Sequence, residues 1–220
     1  ARYLFGASLA RRPVRWSLRR QIDRDIPAAI LERYPEDRYA FGYYARDDKG
    51  PERLAGADAT LDASGTLAVS ADATSGVDLP YRYTLEGDVE DVSRQHIANR
   101  ASLVVHPAPW YIGLRRPDYF TDTATGTSVD VVAVDLQGHV ATDVPVTLAL
   151  TRVQWNSGRR AEGGGFYTWE SEEVRTPAGQ WTVTSAATPV TVQIPVPDGG
   201  SYVLTATARD AAGHATKTET

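Results

Sequence analysis

The sequence contains neither cysteine nor methionine among its 220 residues. Without thiols, the chain has no disulfide framework, no thiol nucleophile and no thiolate metal site. It also lacks an apolar run of the roughly 18 residues that a membrane-spanning helix needs, and it has no signal peptide or lipidation motif. The fold therefore has to be stabilised by buried apolar side chains and by hydrogen bonds.

The composition is typical of a soluble globular protein, with 42% hydrophobic and 23% charged residues. The formal net charge of −5 and the pI of about 5.4 argue against nucleic acid or an anionic membrane as the main partner. Residues 1–34 are an exception, because eight arginines outweigh three acidic residues there and give a charge of +5. We interpret these arginines as residues on solvent-exposed faces of strands. The alternative is that they form a phosphate-binding patch.

Apolar and polar residues alternate with a period of two along much of the chain, which predicts β-strands. Val14, Trp16 and Leu18, for example, are each separated by one polar residue. In residues 129–134 both sets of alternate positions are largely apolar. This segment is therefore predicted to be a central strand that is covered on both faces.

Short turns that begin with Asp and end with Gly separate the predicted strands, as in Asp135–Gly138 and Asp210–Gly213. The Asp side chain accepts hydrogen bonds from the amides of its own turn, and Gly adopts positive φ at low steric cost. Only residues 28–34 have a helical pattern, and Pro27 and Pro35 limit that helix to about two turns. Many short strands joined by such turns indicate β-sandwiches.

A domain boundary is predicted at the proline-rich segment His106–Pro109, because closely spaced prolines stop strand pairing and stiffen a connection. The expected fold class is all-β, with two tandem antiparallel β-sandwiches of the immunoglobulin or fibronectin III type. We expect one sandwich in residues 1–106, with or without its first strand, and the second in residues 107–220. Both ends of the sequence have strand patterns, so we expect the chain to be a piece of a longer protein.

The titratable and nucleophilic residues do not form a recognisable reactive motif. No two histidines have the spacing of a metal site, and no Gly-x-Ser-x-Gly sequence occurs. Ser64 and Ser157 are interpreted as turn residues. We therefore predict no catalytic residue, no metal site and no cofactor. The four histidines are His96, His106, His139 and His214.

Aromatic residues are concentrated in the second half of the chain, and we expect most of them in the core or at a domain interface. The region Trp155–Trp169 is different, because it combines aromatic residues with two arginines and the Gly-rich tip 163–165. We expect one strand to end near Trp155 and an exposed contact site to follow. The predicted protein-contact or domain-interface residues are Trp155, Arg159, Arg160, Tyr167 and Trp169.

Two segments near the start of the chain, Tyr3–Gly6 and Pro13–Trp16, resemble the strand-and-turn signature of a macroglobulin domain. Five further segments are similar to bacterial α2-macroglobulins, so the resemblance runs over nearly the whole chain. These segments are Tyr81–Asp91, Arg100–Ala108, Val132–Gly138, Arg152–Asn156 and Gly199–Asp210.

The resemblance implies two consecutive macroglobulin domains just upstream of the bait-region domain of a large bacterial protease inhibitor. In this family a protease cuts the bait region, the molecule rearranges, and a thioester captures the protease in some members. The implied location is the periplasm or cell envelope, often as a lipoprotein whose anchor lies outside this segment. The implied partners are neighbouring domains of the same longer chain and, through the full-length protein, target proteases. This chain has no thioester sequence, since it has no cysteine.

We therefore expect a non-catalytic structural segment of an α2-macroglobulin-like, broad-spectrum protease inhibitor. The alternative is an extracellular carbohydrate-binding or adhesion module, which the aromatic residues and acidic turns of the second half suggest. A hydrolase is the third hypothesis.

Overall fold

The computed structural model describes residues 1–3, 6–43, 50–71, 78–115, 121–163 and 166–220, apart from the side chains of 161–167 and 170. Within these residues the chain contains twelve strands and one short helix. Every pairing between named strands is antiparallel. The predicted all-β antiparallel class is confirmed.

The helix and strands vary widely in length. Their order is β1 (Pro13–Ile22), α1 (Ala28–Arg33), β2 (Tyr39–Phe41), β3 (Glu52–Thr60), β4 (Tyr81–Glu90), β5 (His96–Val105), β6 (Trp110–Arg115), β7 (Thr127–Asp135), β8 (Pro145–Gly163), β9 (Phe166–Thr184), β10 (Val190–Ile194), β11 (Ser201–Arg209) and β12 (Ala215–Glu219). With 19 residues each, β8 and β9 are about twice as long as the longest of the other strands.

Contacts divide the chain into two compact units. The first comprises Ala1–Arg24 and Ala45–Pro107, and the second comprises Asp25–Tyr44 and Ala108–Thr220. This division differs from the predicted domains 1–106 and 107–220 in residues 25–44. The reason is long-range pairing, since β2 pairs with β6. Local periodicity does not reveal such a pairing.

In the first unit, the described strands form one four-stranded sheet in the order β3-β1-β4-β5. Strands β4 and β5 form a hairpin, whose turn lies between Glu90 and His96. The Asp91 carboxylate accepts hydrogen bonds from the amides of Ser93 and Gln95, at 2.7 and 3.0 Å, and so fixes the turn. The buried apolar cluster of this unit consists of Leu9, Val14, Leu61 and Val89.

The second unit is a sandwich of two four-stranded sheets, ordered β10-β7-β6-β2 and β12-β11-β8-β9. Side chains from both sheets interdigitate in one core, which includes Ile112, Val131, Leu148 and Leu204. Burial of such apolar side chains contributes about 25 cal/mol per Å² and is the main favourable term for folding. This core gives the second unit a rigid frame.

Strand β7 is buried on both faces, as predicted for residues 129–134. Val129, Val131 and Ala133 belong to the sandwich core. Val132 and Val134 contact a second apolar cluster together with Ile30 of helix α1. The helix thus covers the outer face of β7.

Prolines on both sides of helix α1 explain why this helix is short. Pro27 occupies its N-cap position, where the fixed φ of proline is tolerated. At the other end, the Tyr34 amide donates the last helical hydrogen bond, 2.8 Å long, to the carbonyl of Ile30. Pro35 follows and disfavours helical φ and ψ at Tyr34, so the predicted two-turn helix is confirmed.

Two of the predicted Asp-to-Gly turns have the same hydrogen-bond pattern and end in a histidine. Oδ1 of Asp135 accepts hydrogen bonds from the amides of Gln137 and His139, at 2.9 and 2.8 Å. Oδ1 of Asp210 does the same for Ala212 and His214. In each turn the imidazole Nδ1 of the histidine also lies within 3.1 Å of the other carboxylate oxygen.

Candidate interaction surface

The predicted contact region lies on the long antiparallel hairpin of β8 and β9. The two strands pair from Pro145–Thr184 at one end to Gly163–Phe166 at the other. The prediction that a strand ends near Trp155 and a loop follows is therefore wrong. The polar, Gly-rich sequence suggested a loop, but the backbone ladder of an antiparallel pair does not require apolar side chains.

The inner and outer parts of this hairpin are supported differently. Strand β11 pairs with β8 only as far as Val153, which lies opposite Ser201. Within the described residues, the hairpin beyond Val153 is a two-stranded ribbon without a third strand. A register shift occurs between Leu150 and Thr151, at Pro177 on the partner strand, which is the kind of irregularity where proline is tolerated in a sheet.

One side of the ribbon carries two exposed tryptophans. Trp155 is 57% exposed and Trp169 is 68% exposed. Arg159 lies directly opposite Trp169 in the strand register, and its guanidinium carbon is 6.0 Å from the centroid of the Trp169 ring, which is cation–π distance. We call these three residues, Trp155, Arg159 and Trp169, the tryptophan face.

Two of the five predicted contact residues do not belong to the tryptophan face as described. Arg160 is exposed and pairs with Thr168, and because neighbouring side chains on a strand alternate, it points to the opposite side from Arg159. Tyr167 pairs with Ala161 in the register, but its side chain is outside the described residues.

The remaining aromatic residues of the second half agree with the core prediction where they are described. Tyr111 is buried in the cluster beneath helix α1, and Trp110 and Trp181 pack against the sandwich core. The predictions for Tyr119 and Phe120 fall outside the described residues, as does the side chain of Phe166.

Only one of the two serines that the sequence predicts in turns lies in a turn. Ser64 lies in a turn, where its amide and its hydroxyl donate hydrogen bonds of 2.8 and 2.6 Å to the Asp62 carboxylate. The interpretation of Ser157 is wrong, because it lies in the middle of strand β8. Its hydroxyl oxygen is 2.9 Å from that of Ser171 on β9, so the two residues form a cross-strand hydrogen bond on the side of the ribbon that carries the tryptophans.

A second polar surface, on the sheet of the first unit, was not singled out from the sequence. It is an open trough of about 710 Å³, and Arg15 and Arg19 on β1 line it together with Arg53, Glu86 and Arg100. Arg15 donates a 2.8 Å hydrogen bond to Asp58, which lowers the pKa of that carboxyl. The only sequence signal was the alternation along β1, since the other residues come together through strand register. The exposure of Arg15 and Arg19 agrees with our interpretation of the arginines in residues 1–34 as lying on solvated strand faces.

Two kinds of feature are absent from the described residues. These residues contain no group of three or more His, Asp or Glu side chains close enough to hold a metal ion. They also contain no helix with the length and hydropathy of a membrane-spanning segment.

Comparison with known proteins finds similarity to bacterial macroglobulins in both halves of the chain. Residues 114–220 match the model of bacterial macroglobulin domain 6. A curated relative, the α2-macroglobulin homologue of Nostoc sp., is 27% identical over 216 residues. That alignment covers 95% of this chain but only 11% of the relative.

Solved structures share the fold. The native conformation of Escherichia coli α2-macroglobulin matches with a TM-score of 0.65 at 17% identity, over 100% of this chain and 14% of that one. Salmonella α2-macroglobulin reacted with methylamine gives 0.64 at 17% identity, over 99% and 15%. E. coli α2-macroglobulin activated by porcine elastase gives 0.65 at 18% identity, over 99% and 19%. The resemblance predicted from the sequence is therefore confirmed: residues 114–220 are similar to bacterial macroglobulin domain 6, and nearly the whole chain is similar to a bacterial α2-macroglobulin homologue.

Proposed function

We propose that this chain is a non-catalytic, structural segment of a longer α2-macroglobulin-like protease inhibitor. One observation carries the proposal: the alignment covers 95% of the chain but only 11% of an α2-macroglobulin homologue. A chain that matches one short stretch of a large protein along nearly its whole length is best explained as one part of a similar architecture.

Within that architecture, the chain supplies two consecutive macroglobulin domains upstream of the bait-region domain. Its task is to hold neighbouring domains of the same polypeptide in place and to pass on their rearrangement. The fully buried core of the second unit, with Ile112, Leu148 and Ile194 at 0% exposure, suits this task. Close-packed interiors resist compression and transmit displacement as rigid bodies.

The partners and location follow from the same proposal. Target proteases meet the full-length inhibitor, and the segment itself contacts adjacent domains. The full-length protein resides in the periplasm or cell envelope, and any lipid anchor is outside this segment. Fractionation of cells that express the full-length protein tests the location, and recovery in the cytoplasm would contradict it.

An inhibition assay tests the function. The full-length protein is mixed with trypsin or elastase, and cleavage of a large protein substrate is followed. We expect the full-length protein to inhibit near stoichiometric ratio, whereas the 220-residue chain alone has no effect even in large excess. Stoichiometric inhibition of several proteases by the chain alone would refute the structural role. Absence of inhibition by the full-length protein would refute the family function.

The tryptophan face favours one alternative, a carbohydrate-binding or adhesion module. Exposed aromatic rings stack on the apolar faces of sugars, and Trp155 and Trp169 are both more than half exposed. A glycan array with Trp155→Ala and Trp169→Ala distinguishes the two functions. Leu103→Ala removes an exposed apolar side chain that is far away in the sequence and serves as the control. Sugar binding that only the tryptophan variants lose would establish the alternative.

A further inference from the structure

The outer half of the β8–β9 hairpin is less well supported than any other long pairing in the described chain. From Gln154 to Arg160, every side chain of β8 is exposed, and pairing with β11 has already ended at Val153. An isolated two-stranded hairpin is only marginally stable in water. The ribbon is continuous with the sheet, but an additional contact beyond Val153 would stabilise it further.

The side chains of the ribbon are distributed unequally between its two sides. Trp155, Ser157 and Arg159 alternate along β8, and the register places them opposite Glu173, Ser171 and Trp169. The other side of β8 carries only polar residues or glycine, namely Gln154, Asn156, Gly158 and Arg160. Both tryptophans of the described ribbon thus lie on one side, whereas the described side chains on the other side are polar except for Val174 on β9.

Contacts within the ribbon hold the tryptophan face in a defined arrangement. The cation–π contact of Arg159 fixes one end, and the Ser157–Ser171 hydrogen bond lies between the two rings. At the other end, Glu173, opposite Trp155, accepts a 2.6 Å hydrogen bond from Arg175. Trp155 lies four residues from Arg159, the cross-strand neighbour of Trp169, or about 13 Å along the strand. The two rings therefore present two separate apolar contacts on one surface.

The size of this surface indicates which kind of partner it fits. A tryptophan side chain has roughly 150–250 Å² to bury, so the exposed parts of both rings together amount to about 200–300 Å². A stable complex between separate proteins buries about 800 Å² on each partner. A smaller surface is sufficient when both partners belong to one chain, because the linkage supplies a high effective concentration. Tryptophan and arginine are also the residues that dominate the energy of such contacts.

We propose that the tryptophan face docks against another folded domain of the same longer polypeptide. This inference rests on the proposed function only for the existence of the longer chain, which the 11% coverage of the relative supports. The docking surface would offer an apolar patch for the two rings, since exposed tryptophan side chains gain most from burial against apolar surface.

Hydrogen exchange, measured by mass spectrometry, tests the proposal in the longer protein and in the 220-residue chain. We expect amides of residues 154–160 and 168–174 to exchange at least about tenfold more slowly in the longer protein, since docking suppresses local opening. Amides of residues 145–150, in the inner part of β8, serve as the internal reference and should exchange equally in both.

A variant of the longer protein completes the test. The double substitution Trp155→Ser and Trp169→Ser should restore fast exchange in the ribbon and leave residues 145–150 protected. Gln154→Ser with Asn156→Ser, on the opposite side, should leave the ribbon protected.

Equal exchange of the ribbon in both proteins, or protection that survives the tryptophan substitutions, would overturn the proposal. Protection of the short chain that rises with its concentration would instead indicate a second copy as the partner. Because exchange does not depend on protease inhibition, failure of docking and failure of the proposed function remain distinguishable.

Discussion

The hydroxyl of Thr218 donates a 2.6 Å hydrogen bond to the carbonyl of Ile112, which lies 106 residues earlier in the chain. The same oxygen accepts a 3.0 Å hydrogen bond from the amide of Gly42, and Thr218 is fully buried. Thr218 is on β12 in one sheet of the second unit, whereas Ile112 is on β6 in the other. A single hydroxyl thus connects both sheets with the segment that follows β2.

Replacement of Thr218 by Val should destabilise the second unit. The shapes of the two side chains are nearly equal, but Val leaves the Gly42 amide and the Ile112 carbonyl without this partner. Leaving a buried donor or acceptor unsatisfied costs about 1–3 kcal/mol. Urea denaturation, followed by tryptophan fluorescence, measures the effect, because four of the five tryptophans are in this unit.

Thr218→Ser is the matched control for this substitution. Serine keeps the hydroxyl and loses only a methyl group, so it should cost less than Val. If the Val variant were as stable as the original chain, or more stable than the Ser variant, the hydroxyl would not connect the two sheets.

A second prediction concerns the contact between Gly138 and helix α1. Gly138 has a φ of +81°, and a Cβ built at this position would lie 2.3 Å from the Ala29 carbonyl oxygen. Gly138→Ala combines left-handed strain of about 1–2 kcal/mol with displacement of the helix. We expect a loss of stability of at least that size in the same fluorescence assay.

The control for this change is Gly199→Ala, because a Cβ at Gly199 meets nothing within 4 Å. It should alter stability little. A Gly138→Ala chain as stable as the Gly199→Ala chain would show that helix α1 does not pack against the turn at Gly138 as described.

The features that the sequence predicts correctly are those encoded by neighbouring residues. The burial of β7 on both faces follows from apolar residues at both odd- and even-numbered positions. The turns that start at Asp135 and Asp210 follow from local Asp and Gly chemistry. The short helix follows from flanking prolines.

The features that the sequence does not predict depend on partners far away in the chain. Strand β2 has only three residues and is recognisable only through its pairing with β6. The outer half of β8 looks like a loop because its residues are polar, and only the complementary length of β9 reveals a ribbon. The same limit applies to the candidate site. The sequence predicts Trp155 and Trp169 as contact residues, but their location on one face with Arg159 depends on strand register.

The pKa values of two histidines in the first unit should be shifted in opposite directions. Nδ1 of His96 lies 2.7 Å from the Asp88 carboxylate, and this hydrogen bond raises the pKa of His96. Burial lowers the pKa of His106, with the Asp23 charge opposing that effect. An NMR titration of the imidazole carbons should therefore give His96 a pKa above about 6.5 and His106 a pKa below it.

Asp88→Asn provides the check on the first of these values. It should bring the pKa of His96 down towards its ordinary value and leave that of His106 unchanged. The His96–Asp88 contact contributes stability below about pH 6.5, which is lost as the pH rises through the raised pKa. A His96 pKa that does not respond to Asp88→Asn would contradict this assignment.

Stability at acid pH should depend on the Asp210 turn. The hydrogen bond from His214, together with the amides of His214 and Ala212, lowers the pKa of Asp210. A carboxyl with a lowered pKa in the folded state stabilises the fold above its unfolded pKa of about 3.9 and loses this contribution as the pH falls through the lowered value.

Asp210→Asn removes the charge and leaves a side-chain oxygen to accept from the two amides. The variant should therefore be less stable than the original chain at pH 6, and the difference should shrink between pH 4 and pH 2, as measured by urea midpoints. His214→Ala removes the largest cause of the lowered pKa of Asp210. The stability of this variant should therefore also depend less on pH in the acid range than that of the original chain. Curves for Asp210→Asn and the original chain that stay parallel from pH 6 to pH 2 would show that the turn does not couple this carboxylate to folding.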